Sequence, residues 1–216
     1  GIAVGSMLCE KLSGRKVEIG LVPFGSFGLT VFGLLLWWHS GHMPQNIQAN
    51  DWLGVLGFSQ AWWVLFDILG LGIFGGFYIV PLYALIQSRT AENERARVIA
   101  ANNILNALFM VVSAIVTIVL LSLAKLTIPE LFLVVSLLNI AVNTYIFKIV
   151  PEFTMRFMIW LLSHSMYRVE HKNLDAIPDE GAALLVCNHV SYVDALLMGG
   201  AVRRPIRFVM YYKIYN

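Results

Sequence analysis

Charged residues are scarce in this chain. Only 13% of its 216 residues are Asp, Glu, Lys or Arg, and 58% are hydrophobic, whereas a soluble domain usually has about 25% charged residues. The mean hydropathy is +0.73. This balance excludes an ordinary soluble domain and indicates an integral membrane protein. The formal net charge of +2 is too small to indicate a nucleic-acid partner.

Cysteine is also rare, which limits disulfide and metal chemistry. Cys9 and Cys187 lie far apart and lack metal-ligand spacing, so we predict free thiols and no disulfide. His39 and His42 flank one loop without a third ligand nearby, so we expect no metal site. The first residues contain no basic region followed by a cleavage site and are not typical of a signal peptide.

Long apolar runs occupy the first two thirds of the sequence. A helix that spans a membrane needs about 20 mostly apolar residues. Residues 1–10 are typical of the end of one span. Four further segments meet the requirement in full, at 19–38, 61–86, 98–124 and 131–150. We therefore predict that residues 1–150 form the α-helical membrane part of the chain.

Basic residues are unevenly distributed among the predicted loops. Loops 11–18 and 87–97 carry several Lys or Arg residues, loop 125–130 carries only one, and loop 39–60 carries none. Because basic loops remain in the cytoplasm, we expect the two basic loops and everything after residue 150 to be cytoplasmic. Loop 39–60 should face the other side.

After the fourth predicted span the composition changes. Residues 153–165 are too short for a span and fit either a helix on the inner membrane surface or a buried helix of a soluble domain. A buried strand at 183–187, a helix at 195–199 and another strand at 206–211 follow. This order is typical of an α/β fold, so we predict that residues 151–216 begin a cytoplasmic α/β domain.

A polar cluster, C-N-H-V-S-Y-V-D-A, follows the first of these strands. A helix beginning after His189 turns the carboxylate of Asp194 back towards the imidazole, where it fixes the tautomer and stabilises the imidazolium. The other ring nitrogen then removes a proton from an alcohol, which typically accelerates a reaction about 100- to 10,000-fold. Asn188 and Ser191 hold the turn through side chain-to-backbone bonds. Alternatively, Asp194 is only the N-cap of the following helix.

The motif N-H-V-S-Y-V-D resembles the first motif of the glycerolipid acyltransferase family (the lysophosphatidic acid acyltransferase type), written N-H-x-S-x-x-D. The apolar strand before it and R-P-I-R-F-V-M after it are also similar to that family. The resemblance implies that His189 is the base acting on a glycerol hydroxyl and that Asp194 orients it, with Asn188 and Ser191 as supporting positions. The hydroxyl attacks an acyl thioester on acyl carrier protein or coenzyme A. No metal or redox cofactor is implied.

The resemblance covers only residues 152–216. The family's later motifs, a G-x-x-F-x-x-R tract and an E-G-T tract that binds the glycerol phosphate, are not in this sequence. The chain starts in an apolar helical run and stops after a strand-like run, so both ends indicate a fragment of a longer protein. We therefore expect the chain by itself to be inactive as an enzyme.

Residues 1–150 resemble the last part of a major facilitator superfamily transporter. The loop G-S-M-L-C-E-K-L-S-G-R-K-V-E is similar to the basic cytoplasmic loop of that superfamily. Together with R-A-R-V-I-A-A-N-N-I-L-N-A and the acyltransferase motif, it resembles the bacterial fusion of a lysophospholipid transporter with an acyltransferase. The resemblance implies a multi-pass protein of the bacterial inner membrane, with membrane lipid, lysophospholipid and an acyl thioester as partners.

Two other interpretations remain open at this stage. The protein is a transporter whose acyltransferase-like tail is not catalytic, or it is an acyltransferase whose spans serve only as an anchor. Asp67 is the candidate transport residue, because an ionisable side chain inside a membrane is costly and usually functional. The alternative is that Asp67 is hydrated, since Trp62 and Trp63 place it near the membrane interface.

Other small or polar residues in the spans have structural explanations of their own. Gly72 and Gly76 form a G-x-x-x-G pattern, which is typical of close helix packing or of a bend. Three asparagines lie at the start of the third span, namely Asn102, Asn103 and Asn106. They either line a transport path or form polar contacts between helices.

Overall fold

The structure is a computed structural model, and seven helices can be given bounds within the residues that it describes. These residues are 1–12, 21–43, 52–149, 155, 158–159, 162, 165, 170, 172–173, 176–178, 181–188, 190–191, 193–202 and 206–209. The helices are α1 (Ile2–Leu12), α2 (Leu21–Gly41), α3 (Trp52–Leu56), α4 (Ser59–Arg89), α5 (Glu92–Ser122), α6 (Ile128–Ile149) and α7 (Val193–Ala201).

Four of the helices, α2, α4, α5 and α6, are long and apolar enough to cross a membrane. They correspond to the four predicted spans, although α5 begins at Glu92 rather than at residue 98. Most of the predicted basic loop 87–97 is therefore helical. Glu92 and Glu94 in the first turn of α5 explain the earlier start, because acidic side chains stabilise the positive end of a helix dipole.

Helix α4 is the centre of the helical packing. It lies against α1 and α2, and α2 also lies against α6. Between α2 and α4 the rings of Phe24, Phe74 and Phe77 contact one another with centroid distances of 5.2 to 6.0 Å. Aromatic pairs at these distances stabilise a contact beyond the area they bury. Phe77 belongs to a buried cluster with Cys9 of α1 and Leu21 of α2.

The contact between α1 and α4 is a close approach of two backbones at glycine. A Cβ atom on Gly76 would lie 2.8 Å from backbone atoms of Gly5 and Ser6, and one on Gly72 would lie 2.8 Å from the Cα atom of Gly1. There is no room for a larger side chain at either position. The prediction that Gly72 and Gly76 serve close helix packing is confirmed.

Two features interrupt the regularity of α4. Pro81 lies inside the helix and is buried, and proline cannot donate the backbone hydrogen bond that a helix interior normally has. Gly75 and Gly76 lie just over one turn before it. The middle of α4 therefore lacks one backbone hydrogen bond that its ends keep.

Helix α5 has no fully buried residue, and most of its apolar side chains are exposed, although Val98 and Ile99 are half-buried. The hydroxyl of Tyr83 on α4 accepts hydrogen bonds from two side chains of α5, Asn102 at 2.9 Å and Asn106 at 3.1 Å. These bonds support the interpretation of the asparagines as polar contacts between helices.

The described residues after 150 contain helix but no strand. Met155, Met158, Ile159, Leu162 and Ser165 are helical. Ile159 is buried and lies close to Gly199 of α7, while Met155 and Met158 are exposed. Because residues 155–165 include both buried and exposed side chains, the choice between a helix on the membrane surface and a buried helix stays open. The predicted helix at 195–199 is present as the longer α7.

The two predicted strands are not confirmed. Residues 182–188 and 206–209 have no regular secondary structure, and the remainder of the second predicted strand lies outside the described residues. Leu184 and Val186 are 84% and 86% exposed, whereas we expected them to be buried. A strand acquires its hydrogen bonds and burial from a neighbouring strand, and the described residues contain no such neighbour.

We predict that Gly76→Ala destabilises the membrane part and that Gly75→Ala does not. The added methyl group on Gly76 meets the backbone of α1, which should cost about 1–3 kcal/mol of unfolding free energy. At Gly75 a Cβ atom has nothing within 4 Å, so alanine there should be neutral or stabilising by up to about 1 kcal/mol. Unfolding by denaturant in detergent micelles, followed by circular dichroism, measures both. Equal stability of the two variants would contradict the close contact between α1 and α4.

Candidate functional site

The polar motif lies at the N-terminus of α7, where two of its side chains form reciprocal caps. The carboxylate oxygen Oδ2 of Asp194 accepts hydrogen bonds from the backbone N–H groups of Val190 at 2.6 Å and Ser191 at 2.8 Å. In return, the hydroxyl of Ser191 accepts a bond from the backbone N–H of Val193 at 3.4 Å. This arrangement is a variant of the capping box, in which a Ser and an acidic residue three positions later bond to backbone N–H groups at the start of a helix. Here the hydroxyl of Ser191 bonds to Val193 rather than to Asp194.

The capping box revises the expected role of Asp194. Asp194 lies in the first turn of a helix that begins at Val193 instead of residue 195, and Ser191 lies just before that helix. Asp194 is therefore not the N-cap of the helix, although it contributes to the cap. Ser191 makes the side chain-to-backbone bond that we predicted for it.

Asp194 bonds to the backbone of residues 190 and 191, which directly follow His189, the predicted base. His189 lies outside the described residues, so the pairing of His189 with Asp194 stays a prediction. Its neighbours in the chain are described: Asn188, Val190 and Ser191 are all exposed. Charge-assisted hydrogen bonds are about twice as strong as neutral ones. Asp194 therefore holds the backbone of residues 190 and 191 on an open surface that a substrate can reach.

The membrane part contains a second polar site, between α2 and α4. Nδ1 of His39 and Oδ2 of Asp67 are joined by a hydrogen bond of 2.7 Å. The side chain of Asp67 is 0% exposed, while that of His39 is 24% exposed. The carboxylate of Asp67 is therefore enclosed by protein rather than exposed at the surface, and the choice between a functional and a hydrated Asp67 stays open.

Aromatic side chains surround the pair. The indole of Trp63 stacks on the imidazole of His39 with a centroid distance of 5.6 Å and an angle of 22°, and Phe66 lies against Trp63. The second carboxylate oxygen of Asp67, Oδ1, is buried and has no hydrogen-bond partner within the described part of the chain. A buried polar atom without a partner is costly, so this oxygen is a feature that needs an explanation.

The pairing of His39 with Asp67 does not follow from the residue patterns, which present His39 only as an isolated imidazole and Asp67 only as a lone carboxylate. One signal was available: His39 lies near the end of one span, Asp67 lies near the start of the next, and consecutive spans run antiparallel. The two residues are therefore at a similar depth, although hydropathy does not show which helix faces meet.

A polar contact between α2 and α6 was also missed. Asn139 donates hydrogen bonds to the hydroxyl of Thr30 at 2.8 Å and to the backbone carbonyl of Ser26 at 3.4 Å. Ser136 and Asn143 are buried as well. Ser136, Asn139 and Asn143 are spaced by three and four positions, which places them on one helix face. Such bonds contribute about 0.6 kcal/mol on average between membrane helices, so we assign this strip to helix packing.

Metal and thiol chemistry have little support in the described part of the chain. No group of three or more His, Cys, Asp or Glu side chains there is arranged to hold a metal ion. Cys9 is buried and Cys187 is exposed, and both are free thiols.

Comparison with known proteins gives one match. Residues 168–216 match the model of a family described as Acyltransferase. No curated protein and no solved structure matches the chain. The matched residues include the whole motif from Asn188 to Asp194 and all of α7, and they lie within the region 152–216 that resembles an acyltransferase by its motif. The chain thus combines four candidate spans with an acyltransferase-family segment.

We predict that Asp194→Ala increases amide hydrogen exchange at residues 190 and 191, and that Asp194→Glu does not. The alanine variant loses two hydrogen bonds to a charged acceptor, each about 1.5–3 kcal/mol, which corresponds to at least about a tenfold faster exchange. Glutamate is the usual acidic residue of a capping box, so it should keep the bonds. Exchange followed by mass spectrometry measures this. Unchanged protection in Asp194→Ala would contradict the capping box.

Proposed function

We propose that the protein both transports and acylates lysophospholipid. An acyl group moves from a thioester, carried by acyl carrier protein or coenzyme A, to the free hydroxyl of a lysophospholipid. The single observation that carries this proposal is the coincidence of the acyltransferase match at residues 168–216 with the Asn-His-x-Ser-x-x-Asp motif. Four helices capable of spanning a membrane precede it, and such a setting suits an acceptor that is itself a lipid.

In the proposed reaction, His189 removes the proton from the hydroxyl of the lysophospholipid. The hydroxyl oxygen attacks the thioester carbonyl, a new ester C–O bond forms, and the C–S bond breaks. The thiolate leaves and takes the proton back from the imidazolium. Asp194 serves twice, since it orients His189 and fixes the backbone of residues 190 and 191 through the capping box. Asn188 and Ser191 support the same turn.

The proposed transport role belongs to residues 1–150, arranged as the C-terminal helices of a facilitator-type bundle. Asp67 is the transport candidate. Its complete burial and its bond to His39 support a specific role, because a carboxylate at membrane depth is costly unless it is paired. The basic residues near the junction of α4 and α5 support a bacterial inner-membrane location in which residues 151–216 face the cytoplasm.

We predict that His189→Ala, introduced into the product of the complete gene, abolishes acyl transfer and leaves lipid uptake intact. Loss of a general base lowers the rate by about 100- to 10,000-fold. The measurement is conversion of lysophosphatidylethanolamine to phosphatidylethanolamine with acyl carrier protein or coenzyme A as thioester donor. Uptake of the same lysolipid is measured in proteoliposomes. Loss of uptake in a correctly folded His189→Ala protein would contradict the two-part organisation.

Asp194→Glu is the matched variant for Asp194. It should keep the capping box and the fold but move the carboxylate relative to the imidazole, so acyl transfer should fall at least about tenfold while amide protection at residues 190 and 191 stays unchanged. If Asp194→Glu is fully active, Asp194 acts only through the cap. If the wild-type protein takes up lysolipid but transfers no acyl group with either donor, the segment is a non-catalytic tail of a transporter.

A further inference from the structure

Helices α4 and α5 follow each other directly in the chain, yet they are not among the helix pairs that pack closely within the described residues. The hydrogen bonds between them involve the tip of a long side chain, the hydroxyl of Tyr83, and the amides of Asn102 and Asn106. Packed helices are normally about 8–10 Å apart, and a tie through the end of a tyrosine leaves a seam between the two helices. We define the α4–α5 seam by Tyr83, Arg95, Asn102 and Asn106.

One face of α5 is directed towards this seam. Arg95, Val98, Ile99 and Asn102 are half-buried, whereas the residues between them are exposed. Their spacing of three and four positions places them on one side of a helix. Because Asn102 bonds to Tyr83 of α4, Arg95 lies on the side that faces the seam, about 10 Å nearer to the end of the span.

Arg95 has an unsatisfied donor in this position. Its Nε atom is enclosed and has no hydrogen-bond partner in the part of the chain that the structure describes. An enclosed donor without a partner is costly, and the guanidinium is always charged and matches the geometry of a phosphate. Glu92 lies one turn earlier and is exposed, but it does not accept a bond from this nitrogen. An anion from outside the chain would therefore complete the surroundings of Arg95.

The groups deeper in the seam suit the glycerol esters and chains of a phospholipid. The two bonds to Tyr83 leave its hydroxyl hydrogen and one N–H of each amide available as donors, and ester carbonyls are acceptors. Beyond Asn106 the helix is apolar, and residues 108–111 are all exposed. Four consecutive residues cover every side of a helix, so hydrocarbon chains suit this level. From the end of the span inwards, the order is thus phosphate, ester and chain.

The charge next to Arg95 specifies the headgroup. Glu92 precedes Arg95 by three positions, so their Cβ atoms are about 5–6 Å apart. A guanidinium for a phosphate beside a carboxylate for an ammonium group fits a zwitterionic headgroup that ends in a primary amine. A glycerol headgroup has no cation to offer Glu92. Arg97 lies on the opposite side of α5, and Glu94 points about 100° away from Arg95, while Arg89 is exposed at the end of α4.

We propose that the α4–α5 seam binds one two-chain zwitterionic phospholipid of the surrounding leaflet, of the phosphatidylethanolamine kind. Its phosphate lies on Arg95, its ammonium on Glu92 and its ester carbonyls on the donors of Tyr83, Asn102 and Asn106. Its chains fill the seam and hold α5 against α4. The proposal concerns the membrane part alone and goes beyond the transport and acyl transfer proposed above.

Native mass spectrometry of the complete protein, released from micelles that contain equal amounts of phosphatidylethanolamine and phosphatidylglycerol, tests the binding. The wild type should retain one phosphatidylethanolamine molecule in preference to phosphatidylglycerol. Arg95→Gln should weaken the binding of both lipids at least about tenfold, because a charge-assisted hydrogen bond is lost. Glu92→Gln should bind both lipids equally. Glu94→Gln is the matched control, since it removes the same charge from the first turn of α5, and it should keep the preference. Circular dichroism checks that each variant is folded.

The second test measures how firmly α5 is held. Spin labels are attached to Gln87→Cys on α4 and Ala101→Cys on α5, two exposed positions, in a protein whose exposed Cys187 is replaced by serine. The distribution of distances between the labels should be narrower in nanodiscs of phosphatidylethanolamine than in nanodiscs of phosphatidylglycerol. With Glu92→Gln added, the two distributions should be the same.

Three results would overturn the proposal. The first is equal retention of the two lipids by the wild type. The second is a preference that persists unchanged in Glu92→Gln, which would show that the headgroup is bound elsewhere. The third is displacement of phosphatidylethanolamine by an equal amount of lysophosphatidylethanolamine, which would assign the seam to a single-chain lipid. None of these results bears on the assays of lipid uptake and acyl transfer, so the proposed function is tested separately.

Discussion

The membrane part depends on how closely the backbones of its helices approach. Glycine makes this possible on two sides of α4. Gly72 meets Gly1, just before α1, and Gly76 meets Gly5 of α1. Gly25 and Gly28 of α2 face the backbone of Tyr78 and the ring of Phe74 on α4. Lipid supplies no hydrophobic force between helices, so dense van der Waals contact and interhelical hydrogen bonds must hold them together. The bond between His39 and Asp67 is one of these interhelical hydrogen bonds.

The segment that matches the Acyltransferase family is different, because its described side-chain contacts near the motif are local. Ser191 and Asp194 bond to backbone groups within four positions of themselves, so the turn before α7 forms without help from distant elements. In the proposed site, the same carboxylate that closes the turn orients the base. A motif of seven residues therefore carries both a local structure and a proposed chemistry, which makes it recognisable in sequence.

Local features were predictable from the sequence, and features that depend on contacts between elements were not. Hydropathy located the four spans, and the spacing of Gly72 and Gly76 predicted close packing, because both signals belong to a single helix. The early start of α5 was missed because charged residues were assigned to a loop, although Glu92 and Glu94 suit the first turn of a helix. The pairing of His39 with Asp67 depends on which faces of α2 and α4 meet. The strand expected at 183–187 depends on a partner strand, and none lies within the described residues.

Pro81 divides α4 into two segments with different attachments. The first segment is tied to α2 through Asp67, and the second is tied to α5 through the hydroxyl of Tyr83. Between them, Gly75 and Gly76 and the missing donor of Pro81 lower the free energy needed to bend the helix. The region from Gly75 to Pro81 is therefore the part of α4 at which bending costs the least free energy. The attachment to α2 near one end of α4 and the attachment to α5 near the other end therefore belong to one continuous helix.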